Sequence, residues 1–138
     1  MIDIRDLRIN NTVWFNDKRV KITAIDNMDD EPFVKTNFRD DKWLHAKLID
    51  PIPITQELLK ELGFEVRVLT YKLKAEIEID EFFISLDKVK NADFFELYIY
   101  NQSLRESQNM LVRDLHTLQN FVFITTKKEL KYDKSNQY

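Results

Sequence analysis

Histidine, glutamine and asparagine fall within five residues at one place in this chain, as His116, Gln119 and Asn120 of "HTLQN". On a helix, positions i, i+3 and i+4 share one face, so these three polar side chains would converge on a ligand or on a metal-bound water. The set serves metal chemistry poorly, because carboxamides are weak zinc ligands and a site wants at least three good donors. It serves catalysis poorly too: a helix-borne imidazole without a nucleophile or a paired acid has nothing to activate. The structural alternative has Gln119 and Asn120 bonding to neighbouring backbone at a sheet edge while His116 borders the core. The other histidine, His45, lies in "KWLHAKL". Strand alternation puts it on the face of Trp43, either as an aromatic contact surface or as local packing. Trp43, His45, His116, Gln119 and Asn120 are thus the candidate binding residues. No catalytic residue, metal ligand or cofactor is assigned.

Two acidic stretches invite other chemistry. "DNMDDEP" (26–32) is crowded with carboxylates but lacks the glycine and the donor spacing of a calcium loop, so it reads as a solvated turn. In "EIEIDE" (76–81), Glu76, Glu78 and Asp80 share a strand face. Alternation turns that face to water, where carboxylates do not acquire the split pKa values that acid–base work requires. Aromatic residues in the first fifty positions, Trp14, Phe15, Phe33, Phe38 and Trp43, stand among Lys and Arg residues and would suit base stacking. Their segment carries 9 basic and 10 acidic residues, which dilutes the field a phosphate backbone would feel.

Composition removes further classes. A chain of 138 residues with 43% hydrophobic and 33% charged content is globular and long enough to bury its own core. Its one glycine excludes the Gly-rich loops that cradle phosphates. The absence of cysteine excludes disulfides, thiolate nucleophiles and Cys-ligated zinc. The opening "MIDIRDLRIN" is charged where a signal peptide is apolar, and no span is long enough to cross a membrane as a helix, so a cytoplasmic location is expected. Net charge is −3, with no segment basic enough to predict nucleic-acid binding by itself.

The elements that must position these residues follow from pattern. "TVWF" (12–15) and "RVKITAI" (19–25) flank a hairpin-length "NDK". A polar turn at "DNMDDE", a strand in "PFVKTNF", a turn at "RDD" and a strand in "KWLHAKLI" complete a small SH3-like antiparallel barrel or curled sheet. Pro51 and Pro53 then hold the chain extended, Thr55 fits an N-cap, and Gly63 fits a left-handed stop, which predicts a linker helix over 55–62. "FEVRVLTY" (64–71), "KAEIEIDEFFIS" (74–85) and "FFELYIY" (94–100) read as three strands of an antiparallel meander. Leu111, Leu115, Leu118 and Val122 are spaced as one stripe of a packing helix over 106–124, widened by Phe121 and Ile124, with a strand at "FVFI" as the alternative. "KELKY" (128–132) would return as an edge strand, and "DKSNQY" would fray. The sum is an α+β fold in two subdomains, residues 1–52 and 53–138, sharing one core.

Read in this order, the chain resembles a family of small uncharacterised proteins of bacterial chromosomes, prophages and phages. Their phrases are "dLRigN-V", "epIpLteelLkkLGF" and "vHeLQnlyfaLtgeEL". The match is carried by Leu7, Arg8 and Val13, by residues 52–64, and by His116, Leu118, Gln119, Asn120, Phe121, Glu129 and Leu130. Where the pattern has glycine in "LRIGN", this chain has Asn10, which tolerates a left-handed turn. Where it reads "fALTGeEL", this chain has "FITTKKEL", so the turn after the helix lacks its usual glycine. The resemblance implies a phage or mobile-element setting, in the cytoplasm of the bacterial host, and no chemistry. The sequence therefore leads to the expectation of a non-enzymatic module that contacts a host or virion protein. The alternative is a small barrel that binds nucleic acid or a nucleotide and counteracts host defence. No membrane partner is expected.

Overall fold

The structure, a computed structural model of the chain, describes residues 2–28, 30–38 and 42–130. Its first sheet begins with a tight reversal at Asn16 and Asp17, both in left-handed conformation (φ 48° and 60°). That is the geometry of a two-residue type I′ turn, whose twist matches the strands it joins. It connects β1 (Thr12–Phe15) to β2 (Lys18–Met28), with Phe15 opposite Lys18. The first half of β2 pairs with β1 and the second with β3 (Glu31–Thr36), and the register slips between Ile22 and Ala24 where the partners change. A bulge of this kind bends the strand and strengthens its twist. Short β4 (Leu44–His45) adds to β3, and a 3-10 turn at Ala46–Leu48 follows. Asp50 then returns to the free side of β1 and exchanges backbone hydrogen bonds with Trp14 at 2.9 and 3.0 Å.

This is the curled antiparallel sheet expected from alternation, four strands in the order β1-β2-β3-β4. Ile2, Leu7, Val13, Val20, Ile22, Val34 and Ile49 fill its interior, and each fully buried aliphatic side chain of this size contributes about 1.5–3 kcal/mol. Two local expectations need correction. "DNMDDE" is mostly strand rather than turn, because β2 runs through Asp26 and Asn27 and pairs with Phe33 and Pro32; ladder bonds use backbone groups and leave the polar side chains free to face water. "KWLHAKLI" supplies only two strand residues before the 3-10 turn. The turn expected at 39–41 lies outside the described residues.

The linker helix α1 (Gln56–Glu61) forms as its signals require. Thr55 Oγ1 accepts from the Leu58 N–H at 3.2 Å. At the other end Gly63 takes φ 95°, its N–H donates to Lys60 O, and the Phe64 N–H donates to Leu59 O, both at 3.0 Å. These two bonds are those of a Schellman closure. Leu58 and Leu59 are buried, and the helix lies against β5 (Glu65–Val68).

The meander has five strands in sequence order: β5, β6 (Lys72–Ile79), β7 (Phe82–Val89), β8 (Phe95–Asn101) and β9 (Glu106–Val112). The run read as one strand over 74–85 is two, because Asp80 adopts φ 53° and reverses the chain between Ile79 and Phe82. The expected helix over 106–124 is also overturned in its first half. Residues 106–112 pair along the whole of β8, leaving Leu111 62% exposed, and α2 runs only over Leu115–Thr126. Leu115, Leu118 and Val122 are buried as the stripe required, whereas Ile124 is exposed; "FVFI" is helical, not a strand. The helix ends with Lys127 at φ 62°, its N–H donating to Phe123 O at 2.8 Å, so a lysine occupies the left-handed position that usually favours glycine. Residues 128–130 form no strand. The rest of "KELKY" and the tail "DKSNQY" lie outside the described residues.

The chain divides into two compact units. One comprises the residues up to 53 together with 114–120, and the other residues 54–113 together with those from 121 onward. Among the described residues, no helix is long and apolar enough to cross a membrane.

Candidate binding surface

The polar triplet of α2 belongs to the first unit, and its amides are held by the chain itself. Gln119 is 2% exposed; its Oε1 accepts from the Thr12 N–H at 2.9 Å and its Nε2 donates to Thr12 Oγ1 at 3.4 Å. Asn120 Oδ1 accepts from Asn11 Nδ2 at 2.7 Å and from Arg8 Nε at 3.2 Å, and Asn120 Nδ2 donates to Asp6 O at 2.7 Å. Asn11 is itself fully buried, its Oδ1 accepting from the Arg8 N–H at 2.7 Å. The two carboxamides therefore address β1 and the segment before it rather than one shared point. His116 is buried as well, and its Nδ1 has no hydrogen-bond partner among the described residues. Burial pushes its pKa below the usual 6.5, against the opposing pull of Asp114 and Asp6.

His45 is also fully engaged. Its Nδ1 accepts from the Lys47 N–H at 3.1 Å and so caps the 3-10 turn, which leaves the ring proton on Nε2, 2.6 Å from Glu31 Oε2. Its ring meets Phe33, its partner across β3 and β4, edge-on at 5.3 Å. Trp43 stays 37% exposed, with Lys35 Nζ 4.9 Å above its ring. Among the described residues no hydrogen bond or ring contact joins Trp43 or His45 to His116, Gln119 or Asn120.

Among its described residues the same unit carries two more rings partnered by cations. Phe38, 49% exposed, lies under Lys18 Nζ at 4.4 Å and edge-on to Phe15 at 6.2 Å. Trp14 lies under the Arg19 guanidinium at 5.8 Å, its cross-strand neighbour. Beside Trp14 opens a cleft of about 390 Å³ lined by Trp14, Asn16, Asp17, Leu48 and Asp50. The bridge between Trp14 and Asp50 fixes one wall, the type I′ turn supplies Asn16 and Asp17, and the 3-10 turn presents Leu48, 49% exposed. Sequence reasoning picked out Trp14 as an aromatic but missed the cleft, because Leu48 and Asp50 reach it only once the chain has returned to β1. Among the described residues, no group of three or more His, Asp or Glu side chains is placed to hold a metal ion. No protein-family model, curated protein or solved structure matches the chain.

Proposed function

We infer that this protein is a non-enzymatic binding module that works by contact with another protein. The observation that carries the reading is the cleft beside Trp14, where an indole and a solvent-facing leucine lie next to two carboxylates, Asp17 and Asp50. An apolar anchor position with a charged rim is the usual anatomy of a protein contact, and aromatic residues dominate its energetics. The partner that fits is a segment presenting an apolar side chain beside a basic one. The resemblance to phage and prophage proteins supports a host or virion component as that partner, met in the bacterial cytoplasm. The three cation–ring pairs support a second reading, a nucleic-acid or nucleotide binder that blunts host defence. Carboxylates at the cleft repel phosphate, which favours the protein.

Affinity capture from a host lysate tests this by comparing wild type with Leu48→Asp and with Asp17→Asn/Asp50→Asn. One protein retained by wild type, lost from a folded Leu48→Asp variant, and eluting at lower salt from the Asp17→Asn/Asp50→Asn variant is the expected result. Capture that is equal for all three proteins contradicts it. Capture that nuclease abolishes favours the second reading.

A further inference from the structure

The outward face of the meander holds a set of polar side chains that enter no hydrogen bond or ion pair among the described residues. Register places Ser85 opposite Tyr98 and Asp87 opposite Glu96, and on the next strand Asn109 opposite Tyr98. Alternation puts all five on the face opposite buried Ile84, Leu86 and Ile99. They line a hollow of about 270 Å³ whose floor is reached by Leu97. Ser85 is only 8% exposed, and Asp87 Oδ1 is buried with no hydrogen-bond partner among the described residues. Among the described residues, no hydrogen bond or ion pair is made by the side chains of Ser85, Asp87, Glu96, Tyr98 or Asn109.

Folding gives no reason for this arrangement, since buried polar atoms are normally paired and like charges directly opposite each other on a sheet are destabilising. A compensating cation is close by but turned away: Lys74 sits across from Asp87 on β6, yet its Nζ pairs with Glu76 Oε1 at 3.9 Å, and Arg67 Nη2 joins the same oxygen at 3.1 Å. Two carboxylates, two hydroxyls and a carboxamide thus surround a space that wants positive charge and several N–H donors. Directly opposite residues on an antiparallel pair have Cβ atoms about 4.5–5.5 Å apart, close enough for one planar cation to reach both carboxylates. A guanidinium carries five N–H donors in a flat fork and stacks on aromatic rings. The ring to receive it is Tyr98, held parallel to Tyr100 at 6.4 Å.

We propose that this hollow is a guanidinium-binding site, with Asp87 and Glu96 gripping the cation and Ser85, Tyr98 and Asn109 completing its hydrogen bonds. Two sources share the chemistry, a small guanidine metabolite and an arginine side chain of a protein. Titration of the full chain with butylguanidinium, followed by backbone amide NMR, should give saturable shifts at Ser85, Asp87, Glu96 and Asn109. Glu96 is exposed, so Glu96→Gln leaves the fold intact; it should weaken binding by about tenfold, the loss of one charge-assisted hydrogen bond, and Asp87→Asn should do likewise. Butylammonium should bind more weakly than butylguanidinium. A Gly-Arg-Gly peptide that binds more tightly than butylguanidinium identifies a protein arginine, and equal binding identifies a small guanidine. Absence of saturable shifts, shifts unchanged by Glu96→Gln, or equal response to butylammonium or to calcium alone would each overturn the proposal.

Discussion

Gln119 and Thr12, separated by 107 positions in the chain, are joined by both ends of one carboxamide: the Thr12 N–H donates to Gln119 Oε1 at 2.9 Å, and Gln119 Nε2 donates to Thr12 Oγ1 at 3.4 Å. Both residues are buried, so the amide is a latch that satisfies a backbone donor at the start of β1 where water does not reach. Gln119→Leu keeps the volume but strands the Thr12 N–H, which costs about 1–3 kcal/mol. Urea denaturation should show the midpoint falling with an unchanged slope. An unaltered midpoint would mean that the latch contributes nothing.

His116 makes stability depend on pH. Its folded pKa lies below 6.5 because burial penalises the imidazolium, so the unfolded chain takes up the proton more readily than the folded one. The contribution is therefore fully present above 6.5 and is lost as pH falls from 6.5 through the folded value. His116→Gln removes the titration. Denaturation midpoints measured from about pH 8 to pH 5 should converge for wild type and variant at the acid end, where protonation of the wild-type ring takes its toll. Parallel curves across the range would contradict this account.

Lys127 and Gly63 both sit at left-handed helix ends, at φ 62° and 95°. The first carries a Cβ that this conformation disfavours and the second does not, so opposite substitutions should have opposite signs. Lys127→Gly should raise the melting temperature. Gly63→Ala should lower it by the equivalent of about 1–2 kcal/mol, from backbone strain alone. A Cβ built at position 63 would meet Ile77 Cδ1 at an ordinary 3.5 Å, so crowding adds little. Thermal melts of the two variants shifting in the same direction would refute the assignment.

The features of this chain that can be read from its sequence are those whose determinants lie close by along the chain. The helix over 56–61 was readable because Pro51, Pro53, Thr55 and Gly63 act within a few residues of where they stand. The reversal at Asp80 was not, because an aspartate replaced the glycine that would have marked it, and alternation continues on either side. Residues 106–112 misled for a different reason: Leu111 falls into helical register with Leu115 and Leu118, but the pairing with β8 decides its conformation, and pairing is not local. Asn11 gave no sign of being fully buried, since its partner Asn120 is 109 positions away. The triplet of His116, Gln119 and Asn120 was visible as a cluster, whereas its direction of address, toward Thr12, Asn11 and Asp6, appears only in the fold.

A protein-binding surface around Trp14 on the first unit is best tested by the emission of the tryptophans themselves. The chain has two, Trp14 and Trp43, and both belong to that unit. Titrating the captured partner protein into wild type should change tryptophan emission saturably. Trp43→Phe, which leaves Trp14 as the sole reporter, should retain the change, and Leu48→Asp should abolish it together with binding. A partner that binds at full affinity without altering the emission of Trp14 would place the interface elsewhere.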